Sequence, residues 1–247
     1  MIIHAYILCW NEERMIRHTL NHYSSFCDKI ILMDNESTDG TLAIAAEFPM
    51  VEVQPYASRN ELSDSHYIKL KNKSWKQSRG IANWVIVCDA DEFLYHPDGI
   101  RQELELRLKN QEFIPGVDGY NMVADTFPED YARPIYEPVK MGRRATSFDK
   151  KIVFNPNQVK EINYGAGAHT CRPVLESSGT IDSHCLNLLH MKYLGKEYLQ
   201  ERHRQYAERM SYENKKNGWG KQYLDPGFAD KAWEAFSGEH KPVSVVP

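Results

Sequence analysis

The chain has 247 residues, with 30 Lys and Arg against 34 Asp and Glu and a formal net charge of −4. That length suits one large domain, or one domain with a small appendage, and 42% apolar residues supply a substantial core. The balanced charge, with no basic block, argues against a nucleic-acid partner, and no apolar run approaches the ~20 residues needed to span a bilayer.

In chain order, short apolar runs alternate with helical patterns. Residues 2–8 read as a buried strand; the run is short and lacks the basic start of a signal peptide. Residues 12–26 place Met15, Ile16, Leu20 and Tyr23 at helical spacing. A second strand is expected over 29–33, a short helix over 41–48 ended by Pro49, and a third strand over 51–53. A polar helix or loop follows over 63–79. Residues 84–88 form the most apolar strand in the chain, and a strand apolar on both faces belongs near a sheet centre. This order predicts an α/β fold, a mainly parallel sheet flanked by helices. Ile100, Leu104 and Leu108 predict another helix. Prolines at 115, 128, 134 and 138 make 111–138 read mostly as loop. Strands are expected at 151–154, 174–176 and 185–189, a helix from 195 to about 214, and a loose tail beyond 238. The five cysteines are odd in number and widely spaced, with no CxxC pair. They read as reduced thiols of a cytoplasmic protein.

Three loops after strands carry the chemistry. Asp89-Ala90-Asp91-Glu92 follows the most apolar strand. Carboxylates at i and i+2 of an extended segment share one side, and ligands of open parallel sheets bind outside the carboxyl ends of strands. Two acids there repel each other without a cation, and hard divalent ions prefer oxygen ligands and leave positions for phosphate oxygens. The bland alternative is a solvated acidic turn. Asp34 and Asn35, after the second strand, offer paired hydrogen bonds to a base edge, and the Ser-Thr-Asp-Gly run behind them supplies helix caps. After the first strand, Trp10 offers a stacking face, and Asn11 and Glu12 offer contacts to a ribose or base; the alternative is an acidic helix start.

Together, the Trp10-Asn11-Glu12-Glu13 stretch, the Asp34-to-Thr41 stretch and Cys88-Asp89-Ala90-Asp91-Glu92-Phe93 resemble family 2 glycosyltransferases of the GT-A fold, in the branch that carries a DADEF motif. The likeness is strongest over residues 1–95. It continues more weakly over 118–200, through Gly165 to His169 and Leu188 to Tyr193. The resemblance implies transfer of a sugar from a nucleotide-sugar donor (UDP-, GDP- or dTDP-linked) to a glycan or other hydroxyl acceptor, with inversion, Mn²⁺ or Mg²⁺, and a role in surface glycan assembly. It implies that Asp34 contacts the nucleobase, Asp89 lies near the donor ribose and metal, and Asp91 binds the metal. Lys71 and Asn72 resemble a donor-contacting stretch; Glu92 and Phe93 match the motif without a derivable role. His190 is a candidate metal or diphosphate ligand, and His169 a candidate acceptor or phosphate contact. An inverting enzyme needs a base for the acceptor hydroxyl. Asp125 is the leading candidate, ahead of Glu129, Asp130, Asp149 and Asp182.

The expected organisation is a GT-A domain over 1–195, with a nucleotide-binding half (1–95) and an acceptor half (96–195). A helical extension, 196–247, packs on it. Its Tyr198, Arg202, Arg204, Tyr206 and Arg209 alternate with glutamates and read as an ordinary solvated helix, with peripheral membrane contact at the inner face as the alternative. Competing functions are a sugar nucleotidyltransferase, which would want a Gly-rich basic loop after strand one, and a non-catalytic nucleotide- or glycan-binding module. A glycoside hydrolase needs two opposed carboxylates rather than an adjacent pair.

Overall fold

The computed structural model describes every residue except 179 and 238–241, and the side chains of all the described residues except 180–183 and 236–237. The first sheet holds β1 (Ile3–Cys9), β2 (Lys29–Asp34), β3 (Val51–Pro55) and β4 (Trp84–Asp89) in the order β3-β2-β1-β4, all parallel. A short antiparallel strand, Val153–Phe154, closes its far edge. Alternation along β1 explains its burial on both faces. Ile3, Ala5, Ile7 and Cys9 meet Ile16, Leu20 and Tyr23 of α1 (Glu13–Ser24), while Tyr6 and Leu8 meet Trp75 on the opposite face.

Helix starts are set by neighbouring loops. The Thr41 hydroxyl accepts from the Glu12 N–H at 2.8 Å and Asp39 accepts from the Glu13 N–H at 3.0 Å, so the loop before α2 (Thr41–Ala45) caps α1. The polar stretch after β3 is helical: α3 (Asp64–Lys73) runs into a 3₁₀ turn, Ser74–Ser78. Helix α4 (Ile100–Lys109) forms where its apolar spacing predicts.

The second sheet corrects two expectations. Residues 111–138 are not mostly loop, because β6 (Glu112–Ala124) is a strand of 13 residues. It pairs in parallel with a strand of 15 residues, Thr180–Leu194, which also pairs antiparallel with β5 (Glu92–Tyr95). Pro115 has no N–H to give a ladder, and the register slips there, between the Ile181–Ile114 and His184–Gly116 pairs. Nor is the tail loose throughout. Val243–Ser244 pairs with Met141–Arg144 at the sheet edge, and Val246 is buried beside Met122 and Val139.

Chain order then gives β7 (Met141–Arg144), β8 (Val153–Phe154), β9 (Val159–Glu161), β10 (Val174–Leu175), β11 (Thr180–Leu194) and β12 (Val243–Ser244). Helices α5 (Lys196–Arg209), α6 (Tyr212–Asn217) and α7 (Phe228–Ser237) complete the chain. The five cysteines form no disulfide with one another. Among the described residues, no helix is long and apolar enough to cross a membrane.

Candidate active site

The carboxyl ends of β1, β2 and β4 finish level, with Cys9 opposite Asp34 and Leu8 opposite Asp89. Strand β4 ends at Asp89 in the first sheet and β5 begins at Glu92 in the second, so Asp89-Ala90-Asp91 is the crossing between the sheets. Register delivers the next group: His190 on β11 lies opposite Glu92 on β5 and Asn121 on β6. Its Nε2 stands 3.2 Å from Asp91 Oδ2, and its Nδ1 stands 2.7 Å from Asn121 Oδ1. The Phe148 ring stacks on the imidazole at 4.0 Å. An amide oxygen only accepts, so Nδ1–H is the donor to Asn121, and Nε2 is the ring atom turned towards the Asp91 carboxylate. Burial pushes the Asp91 carboxyl up, but the His190 imidazole and its hydrogen bond, then Arg202 and Lys150, outweigh this and hold it well below the usual range.

The two acids of the motif meet different partners. Asp89 is held by Lys71, whose Nζ lies 2.7 and 2.8 Å from its two carboxylate oxygens, with Lys150 at 3.9 Å. Burial lowers the Lys71 pKa, yet Asp89 and Glu92 more than reverse this and keep it charged. Glu92 is buried; it pairs with Lys150 and accepts from the Asp89 N–H at 3.1 Å, so it sets the backbone of the crossing. Phe93 is a core residue packed against His22 and Tyr23.

These groups line a cavity of about 500 Å³. Its opposite wall is α5, contributing Tyr198, Arg202, His203, Tyr206 and Arg209. This corrects the reading of α5 as a simple solvated helix. Arg204, Glu201 and Glu208 do form surface pairs on one side, but the i, i+4 stripe of Tyr198, Arg202 and Tyr206 faces the strand ends. Arg202 pairs with Glu12 and donates to Asn11 O at 2.9 Å and to the Tyr206 hydroxyl at 2.7 Å. Burial pushes the Glu12 carboxyl up to about 8, with Arg202 pulling the other way.

Trp10, Glu12, Lys71, Asp89, Asp91, His169 and His190 all line the cavity. Five other candidates are not among its lining residues. Asp34 accepts from the Ser37 N–H at 3.1 Å. Asn35 takes a bond from the Ser58 hydroxyl at 2.9 Å and donates to Glu61 O. Asn11 accepts from the Thr38 N–H at 2.8 Å, and Asn72 holds the Tyr164 backbone from both sides, at 2.7 and 3.2 Å. Asp125 is exposed beyond the end of β6. Each asparagine is held by a loop it braces, Asp34 ends β2 level with Asp89 without lining the cavity, and Asp125 lies at the surface. Asp149 braces Gly119 and Arg144, while Glu129 and Asp130 pair with Arg14 and Arg133 at the surface. The side chain of Asp182 lies outside the described residues.

His169 is better placed than any of these acids. Its Nδ1 donates to Ser147 O at 2.7 Å, which leaves Nε2 as an acceptor. Its ring meets Phe148 edge-on at 5.1 Å, on the same phenyl that stacks on His190. Burial, then the Lys150 charge, push the His169 pKa down, so the ring stays neutral. Gly167 makes room for it: with φ +62°, a Cβ there would lie 2.6 Å from His169 Cδ2.

For a divalent cation the donor set fits. Among the described residues no three metal-ligating side chains converge, but Asp91 and His190 bring a carboxylate oxygen and an imidazole nitrogen within 3.2 Å of each other. A cation satisfies both, and open coordination positions suit phosphate oxygens.

The family model described as glycosyl transferase family 2 matches residues 5–177, which include most of β1, all of β2 to β4 and the acidic crossing. The chain belongs to this family, a family of transferases, and its fold is α/β, with a mainly parallel first sheet flanked by helices. Among individual proteins, an uncharacterized glycosyltransferase of Rickettsia conorii is 32% identical over 93 residues, which are 37% of this chain and 29% of that protein. One of Rickettsia typhi is 34% identical over 93 residues, 37% and 28% respectively. The chain thus spans under a third of the length of these relatives. The crystal structure of glucosyl-3-phosphoglycerate synthase from Mycobacterium tuberculosis with Mn²⁺, UDP and glucosyl-3-phosphoglycerate is 19% identical, covers 49% of this chain and 44% of that one, and superposes with a TM-score of 0.32.

Proposed function

We propose that the chain transfers a sugar from a nucleotide-sugar donor to a hydroxyl acceptor, with inversion and a divalent cation, Mn²⁺ or Mg²⁺, in surface glycan assembly. The observation that carries this reading is the meeting of Asp91 and His190 at the strand ends of a cavity that already holds Asp89 and Lys71. Asp91 and His190 would hold the cation, which supplies charge compensation for a departing diphosphate. Lys71 and Lys150 add fixed positive charge to the same wall, where it is worth more than in water. Trp10 offers its ring to the donor. His169 Nε2 takes the acceptor proton, in place of Asp125, because it is a neutral acceptor that lines the cavity. In this reading residues 1–95 bind the nucleotide, 96–195 receive the acceptor, and 196–247 form an extension that closes the cavity.

Calorimetric titration of UDP, GDP and dTDP, each with and without Mn²⁺, tests the reading. Binding of one nucleotide that requires the metal is the expected result. Equal, metal-independent affinity for all three, or none, would remove the donor-site assignment and favour a non-catalytic binding module.

A further inference from the structure

The end of α5 carries a feature that the acidic crossing does not use. Arg209 is 93% buried from solvent by its relative exposure of 7%. Its Nε donates to Asn60 O at 2.9 Å, and its guanidinium lies 3.5 Å above the Trp10 ring. Both contacts fix the plane of the fork. Tyr67 is the side chain that meets its terminal nitrogens, and among the described residues Arg209 pairs with no carboxylate. On the same cavity wall the Trp10 indole N–H is buried without a partner, and the buried Tyr56 hydroxyl has Tyr67 alone beside it.

A buried polar group left unbonded costs about 1–3 kcal/mol, and a charged one more. Under-bonded groups gathered in one place are therefore a strong signal of what belongs there. All of them are donors, or can donate, and one is a cation. Burial pushes the Arg209 guanidinium below its ordinary value, with Tyr67 and Tyr56 opposing. An oxygen-rich anion matches this set, since a planar guanidinium gives two parallel N–H bonds to phosphate or carboxylate oxygens. Arg209 lies outside the residues that match the family, 5–177.

We propose that Arg209, with Trp10 Nε1 and the Tyr56 hydroxyl, forms a phosphate-binding subsite in the cavity wall, separate from the Asp91–His190 pair. It deepens the reading above and rests on the same cavity. The phosphate has two possible sources, the diphosphate of the donor or an anionic group on the acceptor.

The test uses the full chain and two probes: inorganic pyrophosphate without metal, and UDP with Mn²⁺, both by calorimetry. The variants are Arg209→Gln and Trp10→Phe, the second keeping the ring under Arg209 while removing the indole N–H. Wild type is expected to bind pyrophosphate. Arg209→Gln is expected to weaken this by about tenfold or more, and Trp10→Phe by a few-fold. If Arg209→Gln fails to fold, Trp10→Phe decides alone. A parallel loss of UDP affinity supports the subsite and assigns the phosphate to the donor; retained UDP affinity supports it and assigns the phosphate to the acceptor. No pyrophosphate binding by wild type, or equal binding by both variants, overturns the proposal. Arg209-dependent pyrophosphate binding with no nucleotide binding would instead overturn the glycosyl-transfer reading and leave the subsite standing.

Discussion

Asp91 and Asp89 sit two residues apart, yet one faces an imidazole and the other a lysine. They should therefore respond differently to neutralisation. Asp91→Asn is expected to abolish the metal dependence of nucleotide affinity while leaving the thermal midpoint near wild type; titration with and without Mn²⁺ checks it, and unchanged metal dependence would sink the role given to Asp91. His169→Ala is expected to lower kcat by about 10²-fold or more with donor affinity retained, the size typical of a lost general base. A wild-type rate would return His169 to the loop it sits in. The first of these residues was legible in the sequence, because an acidic triplet after a fully apolar strand has a fixed place in a parallel sheet. His169 was visible only as a glycine-flanked histidine. Its proton state depends on the Ser147 carbonyl, 22 residues away, and no local pattern reveals that.

At the level of elements, β1, β2 and β4 could be read directly, since each is a continuous apolar run. Strand β6 could not. Pro115, Gly116 and Gly119 interrupt its apolar alternation and look like turn residues, although β11 tolerates them through shifts in register. Helix α5 was legible as a helix but not as a cavity wall, because its glutamates make the aromatic and basic stripe look like a solvated face. What turns the stripe inward is Glu12, 190 residues earlier in the chain. Arg202→Leu is thus expected to leave a buried carboxyl without its cation and to destabilise the fold by about 3–5 kcal/mol near pH 9, above the value of about 8 at which Glu12 ionises in the fold. The loss should be smaller near pH 5, where Glu12 takes up a proton more readily; urea unfolding at the two pH values measures it.

Across the whole molecule, stability should carry a histidine signature. His22 of α1 bonds Leu94 O at 2.9 Å through Nε2 and sits among Tyr23, Phe26, Phe93 and Tyr136. Burial lowers its pKa to about 4, with the bond to Leu94 opposing. A depressed histidine favours the neutral form in the folded state. Its contribution is complete above the unfolded value of about 6.5 and fades as pH falls towards 4. Between pH 7.5 and 5 this amounts to about 2 kcal/mol. His203, also lowered to about 4 by burial, acts in the same direction. His22→Gln should therefore show a weaker loss of stability on acidification than wild type, read from denaturant midpoints at the two pH values.

The acidic crossing between the sheets has a consequence for biosynthesis. Asp89 and Asp91 leave the ribosome long before His190 on β11 and Arg202 on α5, and the second sheet cannot form around β5 until β11 arrives. During that interval the nascent chain carries paired acids, Lys71 and a half-built sheet, but no complete cavity. Ligand binding can stabilise only chains synthesised past α5, so nucleotide added to a translation reaction should protect late nascent chains from proteolysis and leave shorter ones unprotected.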